Sequence, residues 1–94
     1  MKIDGYAFKS DAKERQKKMR ERLDEINHIY KKGEVEFTVT PDYKRTHFSG
    51  TLHSDRAKKL SEEDIFIIVS SAHNPFGGFI TRNGNSFKGD IYDD

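Results

Sequence analysis

The stretch Ser70-Ser71-Ala72-His73-Asn74-Pro75-Phe76-Gly77-Gly78 gathers hydroxyls, an imidazole, an amide, an aromatic ring and two glycines. Hydroxyls and glycine-exposed backbone N–H groups hold phosphate oxygens, and an aromatic ring stacks on a base. Ser70, Ser71, His73, Asn74 and Phe76 are therefore candidate ligand-binding residues. The same residue types also build an ordinary Asn-Pro turn that staples Phe76 into a core. Tyr43-Lys44-Arg45 joins a ring to two cations, and Phe79, Arg82 and Lys88 repeat the mixture further along. Together they read as an anion-and-base surface, although a Lys stem lying over an exposed Phe would look the same. His47 and His53 share a strand face, but His53 and Asp55 lack a third ligand at any diagnostic spacing, so no metal site is assigned. No P-loop, Gly-x-Ser-x-Gly or Rossmann glycine pattern is present, and no nucleophile and base can be paired. The expectation is a binding protein without cofactor, not an enzyme.

These residues need elements to position them. Asp11 and Glu14 have capping-box spacing, Lys31 and Lys32 suit a helix C-terminus, and Gly33 is a stop, which predicts a helix over 11–32. Ala12, Met19, Leu23, Ile26 and Tyr30 follow a heptad-like stripe with Gln16 at the remaining seam position. Such a helix is about 33 Å long, and five-residue strands span only about 17 Å. Its first half is thus expected to overhang the sheet and to offer Ala12, Gln16 and Met19 to a symmetry-related helix.

Ile3 to Phe8 reads as a short strand or ordered arm. Alternation places Val35, Phe37 and Val39 on one face of a strand near 34–40, and Phe48, Gly50 and Leu52 on one face of a strand near 46–53, joined by a longer loop at 41–45. Ser54 or Asp55 begins a short helix, and Ser61-x-x-Asp64 repeats the capping pattern. The continuous apolar run Ile65-Phe66-Ile67-Ile68-Val69 predicts a central strand near 65–71. Asn83-Gly84 predicts a hairpin of strands near 77–82 and 85–92. With Arg82 opposite Asn85, Ile80 falls opposite Phe87, Gly78 opposite Gly89 and Phe76 opposite Ile91 on one face, with Phe79 opposite Lys88 on the other. The fold class is α+β: a long N-terminal helix packed on an antiparallel sheet of four to five strands. The glycines at 77, 78 and 89 predict bending or the close approach of something else.

A chain of 94 residues fits one domain, 1–94, and one core. Its 35% charged and 33% hydrophobic content raises the question of disorder. The seven Phe and four Tyr answer it, because they fall largely in strand-like segments that need large side chains. No cysteine is present, which removes a disulfide framework and points to a reducing cytoplasm. The start Met1-Lys2-Ile3-Asp4-Gly5 is not a signal peptide, and no run is long enough to span a membrane. A net charge of +1 excludes a wholesale DNA mimic, so any anion site must be local.

In organisation, being small, cysteine-poor, Lys/Glu-rich and without enzymatic motifs, the chain resembles the small phage-encoded immune-evasion proteins. The resemblance covers the style of the whole chain and no motif. It implies a location in the host cell cytoplasm and one of two roles. The first is a homo-oligomeric sponge, a dimer or a tetramer built from dimers, that sequesters a cyclic-nucleotide immune signal. The second is an inhibitor that occupies a host protein such as a CRISPR nuclease. Many such inhibitors are strongly acidic, and the net +1 here favours the sponge. A weak nucleic-acid-binding module using residues 13–22 is the third reading.

Overall fold

The computed structural model describes residues 2–4, 12–43, 45–73 and 75–93. Along the chain run β1 (Lys2–Asp4), α1 (Ala12–Ile26), β2 (Val35–Asp42), β3 (Arg45–Leu52), α2 (Asp55–Lys58), α3 (Glu62–Val69), β4 (Pro75–Asn83) and β5 (Ser86–Asp93). The fold is α+β. All strand pairs are antiparallel and the order across the sheet is β1-β4-β5-β3-β2. Residues 5–8 of the expected first strand, and the expected helix cap Asp11, lie outside the described residues.

The run 65–71 is not a strand. Residues 65–69 form most of α3, in which every residue from Asp64 to Val69 is buried, and Ser70 and Ser71 follow its end. Uninterrupted apolar sequence marks burial on all sides but does not distinguish a central strand from a covered helix. Local chemistry decides here: the Ser61 hydroxyl accepts from the Asp64 amide at 3.1 Å, starting a helix with three acidic residues in its first turn, where the dipole favours them. The helix is covered because it packs against β4 on one side and α1 on the other.

Helix α1 ends at Ile26 rather than Lys32, and the chain turns through residues 27–33 to Gly33, which adopts φ 96°. Met19 and Ile26 are buried, and Leu23 and Tyr30 pack partly against the core. Met19 is therefore covered within the chain and does not serve as an open seam. Arg22 fixes the α1–α3 crossing, donating from Nε and Nη2 to the two carboxylate oxygens of Asp64, each at 3.0 Å. That two-pronged pair, with Glu25 beside it, raises the already high pKa of the guanidinium.

On the helix-covered face of the sheet, phenylalanines fill the gaps that glycines leave. Phe48 stands opposite Gly89, and Phe87 opposite Gly50. A side chain added at Gly89 or Gly50 would run into those rings, and one at Gly78 would meet Phe66 of α3. Phe48 packs edge-on to Phe66 with centroids 6.2 Å apart and tilts against Phe87 at the same separation. The close approach expected at the glycines is that of these rings, and aromatic cover of strand glycines stabilises a sheet otherwise short of side chains. With Leu52, Leu60, Ile80 and Ile91 they complete the core.

Both hairpins differ in detail from expectation. The turn between β4 and β5 is Gly84-Asn85, with Asn83 opposite Ser86 and Arg82 opposite Phe87. Gly84 has φ 64°, and no positive φ occurs at Asn85, the pattern of a type II′ turn with glycine at its first central position. Ile80 thus pairs with Gly89, Gly78 with Ile91 and Phe79 with Asp90. The shift is two residues, so each side chain keeps the face that alternation assigned to it. Phe76 falls at an irregularity between Pro75 and Gly77. Between β2 and β3 the ladder continues to Asp42 opposite Arg45, so the connection is shorter than the expected 41–45 loop, and Tyr43 follows β2 at φ 51°.

Candidate functional site

Helices cover one face of the sheet, and the other carries four transverse rows of side chains set by strand pairing. Asn83, Ser86, Thr51 and Glu36 form the first row; Thr81, Lys88, Ser49 and Thr38 the second. Phe79, Asp90, His47 and Thr40 form the third; Gly77, Tyr92, Arg45 and Asp42 the fourth. Side chains two apart on a strand share a face, which puts the sixteen residues on one surface. Two shallow depressions of about 610 and 330 Å³ lie on it, both bordered by Thr38, Ser49 and Lys88.

The second row is a hydroxyl belt around one ammonium. Thr38, Ser49, Thr81 and Lys88 are all exposed, and Lys88 has no ion-pair or hydrogen-bond partner among the described residues. Phe79, half-buried, lies diagonally across the β4–β5 pair from Lys88, about 7–8 Å away by sheet geometry. A flexible cation, three hydroxyls and a ring at that spacing suit a ligand with an anionic group and an aromatic base.

The third and fourth rows are electrostatically closed. His47 Nδ1 lies 2.5 Å from Asp90 Oδ1, and its Nε2 lies 3.2 Å from Asp42 Oδ2. Both ring nitrogens can donate to carboxylates only in the imidazolium form, so hydrogen bonding to Asp90, then to Asp42, raises the His47 pKa above its ordinary 6.5. Asp90 is buried and lies 3.6 Å from Arg45, whose guanidinium sits 5.4 Å from the Tyr92 ring centroid. His47 is thereby held between two carboxylates that favour its charged form.

Of the residues selected from sequence, Arg45, Phe79 and Lys88 come together on this face. Tyr43 stands at the β2–β3 turn with 96% of its surface exposed. Lys44 and Asn74 lie outside the described residues, as does the side chain of Phe76. Arg82 is on the opposite face: it donates to the carbonyls of Leu60 at 2.9 Å, Lys58 at 2.5 Å and Gly84 at 3.2 Å, tying the end of α2 to the hairpin. Ser70 is fully buried and donates its hydroxyl to the Phe66 carbonyl at 2.6 Å. Ser71 and His73 line a separate depression of about 290 Å³ beside Met19 and Leu23 on the helical side. Because 65–69 is helical, residues 70–73 lie on the helical layer and do not join the Arg45, Phe79 and Lys88 surface. Sequence selection passed over Thr38, Ser49, Thr81 and Asp90, which outward alternation on β2 to β5 marks once the register is known.

Among the described residues no group of three or more His, Cys, Asp or Glu is placed to hold a metal ion, and no helix is long and apolar enough to cross a membrane. No protein-family model matches the chain, and neither a curated protein nor a solved structure is significantly similar to it.

Proposed function

We propose that the protein is a non-enzymatic binding module that holds a small anionic nucleotide on the face of its sheet that no described helix covers. The observation that carries this reading is Lys88, unpartnered among the described residues and set among Thr38, Ser49 and Thr81 with Phe79 one row away. Phosphate oxygens meet the ammonium and hydroxyls, and the base lies on the Phe79 ring. The carboxylates of Asp42 and Asp90 are engaged by His47 and Arg45, which lessens their repulsion of an anion. In the role implied by the resemblance to phage immune-evasion proteins, the protein withdraws a cyclic-nucleotide signal from host defence without turning it over.

Calorimetry with cyclic di- and oligonucleotides, linear mononucleotides and single-stranded oligonucleotides tests the proposal. A charge-assisted hydrogen bond is worth about 1.5–3 kcal/mol, so Lys88→Gln is expected to weaken binding by about tenfold to a hundredfold. Equal affinity in that variant, or no heat with any nucleotide, overturns the reading. Tighter binding that grows with oligonucleotide length moves it to single-stranded nucleic acid.

A further inference from the structure

Strand β2 forms one edge of the sheet, and nothing among the described residues pairs with its outer side. Its hydrogen-bonding parity follows from its neighbours. The amide of His53 donates to the carbonyl of Glu34 at 2.7 Å, and the amide of Leu52 donates away from β2, to Asn85, at 2.7 Å. In an antiparallel ladder, bonded and non-bonded pairs alternate. Even-numbered residues of β2 thus bond to β3, and Val35, Phe37 and Val39 turn their N–H and C=O groups outward. Pro41, which has no N–H to offer, falls in the outward set, where a proline leaves the inner ladder intact.

Apart from Pro41 at its far end and the single charge of Glu36, this edge lacks the devices that keep edges apart. From Val35 to Thr40 there is no lysine, no proline and no irregularity in pairing. Phe37 and Val39 point to the helix-covered side yet remain 39% and 37% exposed, because the helices do not reach over β2. A long, regular and partly apolar edge is a template for another strand.

We infer that β2 pairs antiparallel with β2 of a second copy of this chain, joining two sheets across a two-fold axis at Phe37. In that register Val35 faces Val39 of the second copy, and each of the three outward N–H groups on either strand meets a carbonyl. Glu36 faces Thr38 of the second copy and Glu34 faces Thr40, so no acid meets an acid; Pro41 faces Gly33, which lies in the turn before β2, so the ladder ends before the proline. This self-complementarity of charge and hydrogen bonding selects a second copy over an unrelated strand. It does not depend on the nucleotide reading.

Sedimentation of the full chain at micromolar concentration is expected to give twice the chain mass of 10.9 kDa. Phe37→Lys, a change at a partly exposed position, is expected to give a monomer with unchanged circular dichroism. The double variant Glu36→Cys with Thr38→Cys, introduced into a chain without cysteine, is expected to form a disulfide-linked dimer on mild oxidation. These positions face each other as non-hydrogen-bonded pairs whose Cα atoms lie about 4.5 Å apart with close side chains, within disulfide range. A monomeric wild type overturns the inference, as does a folded Phe37→Lys dimer. Should Phe37→Lys fail to fold, the cysteine variant decides: a cross-linked dimer supports the pairing, and a dimer that does not cross-link refutes it.

Discussion

Gly89 is the position where adding a single methyl group should cost most. A Cβ there would press on the carbonyl oxygen of Phe79 well inside contact distance, with the Phe79 carbonyl carbon at 2.9 Å and Phe48 Cζ at 2.8 Å. The ring can turn aside. The carbonyl cannot, because it belongs to the β4 backbone, which is paired to β5 on either side of this point. Overpacking costs about 1–3 kcal/mol where side chains can give way, and backbone resistance places Gly89→Ala at about 3 kcal/mol or more. A chain of 94 residues has a total stability of about 5–14 kcal/mol. At roughly 4–8 °C per kcal/mol for this size, the melting midpoint falls by about 12–24 °C. Gly84→Ala is the control: its φ is 64° with no heavy atom within 4 Å, so only the left-handed backbone is penalised, by about 1–2 kcal/mol. Circular dichroism melts of both variants against wild type make the comparison. A Gly89→Ala midpoint within about 5 °C of wild type refutes the close β4–β5 packing described here.

Three further outcomes follow from the same sheet. Phe87 is 3% exposed, and Phe87→Ala is expected to cost about 3–5 kcal/mol. Phe79→Ala on the open face should cost less in urea unfolding while weakening nucleotide binding, and the reverse order would exchange the two faces. His47 is expected to titrate above its ordinary 6.5 by NMR. Its charged network therefore adds stability that is fully present below pH 6.5 and is lost as pH rises through the folded value; a midpoint at or below 6.5 contradicts the Asp90–His47–Asp42 contact.

Period-two alternation and turn chemistry made much of the sheet legible, because a strand's faces are set by parity alone. That is why a hairpin register wrong by two residues still put Ile80, Phe87 and Ile91 in the core. The 65–69 run was not legible because burial on every side erases periodicity. Its nature was fixed by Ser61 at its start and by α1, held by Arg22 on Asp64, across its back. The end of α1 was misplaced for a related reason. Lys31, Lys32 and Gly33 form a plausible stop, but the chain leaves the helix after Ile26, and Gly33 instead serves the turn into β2.

The candidate site was legible only in fragments, and the reason lies in how a sheet builds a surface. Lys88 and Phe79 each announce a cation and a ring, but Ser49, Thr38 and Thr81 are ordinary strand residues whose meaning comes from the strands beside them. Their row crosses four strands that lie at residues 38, 49, 81 and 88, in the spatial order β4, β5, β3, β2. Contiguous loop segments such as 70–78 attract attention because their chemistry is adjacent in sequence. Alternation divides a sheet into two faces but does not say which one the helices take. That choice follows from the Phe-over-Gly contacts, since Gly50, Gly78 and Gly89 share the face that receives Phe87, Phe66 and Phe48. The hydroxyls and Lys88 are left on the other.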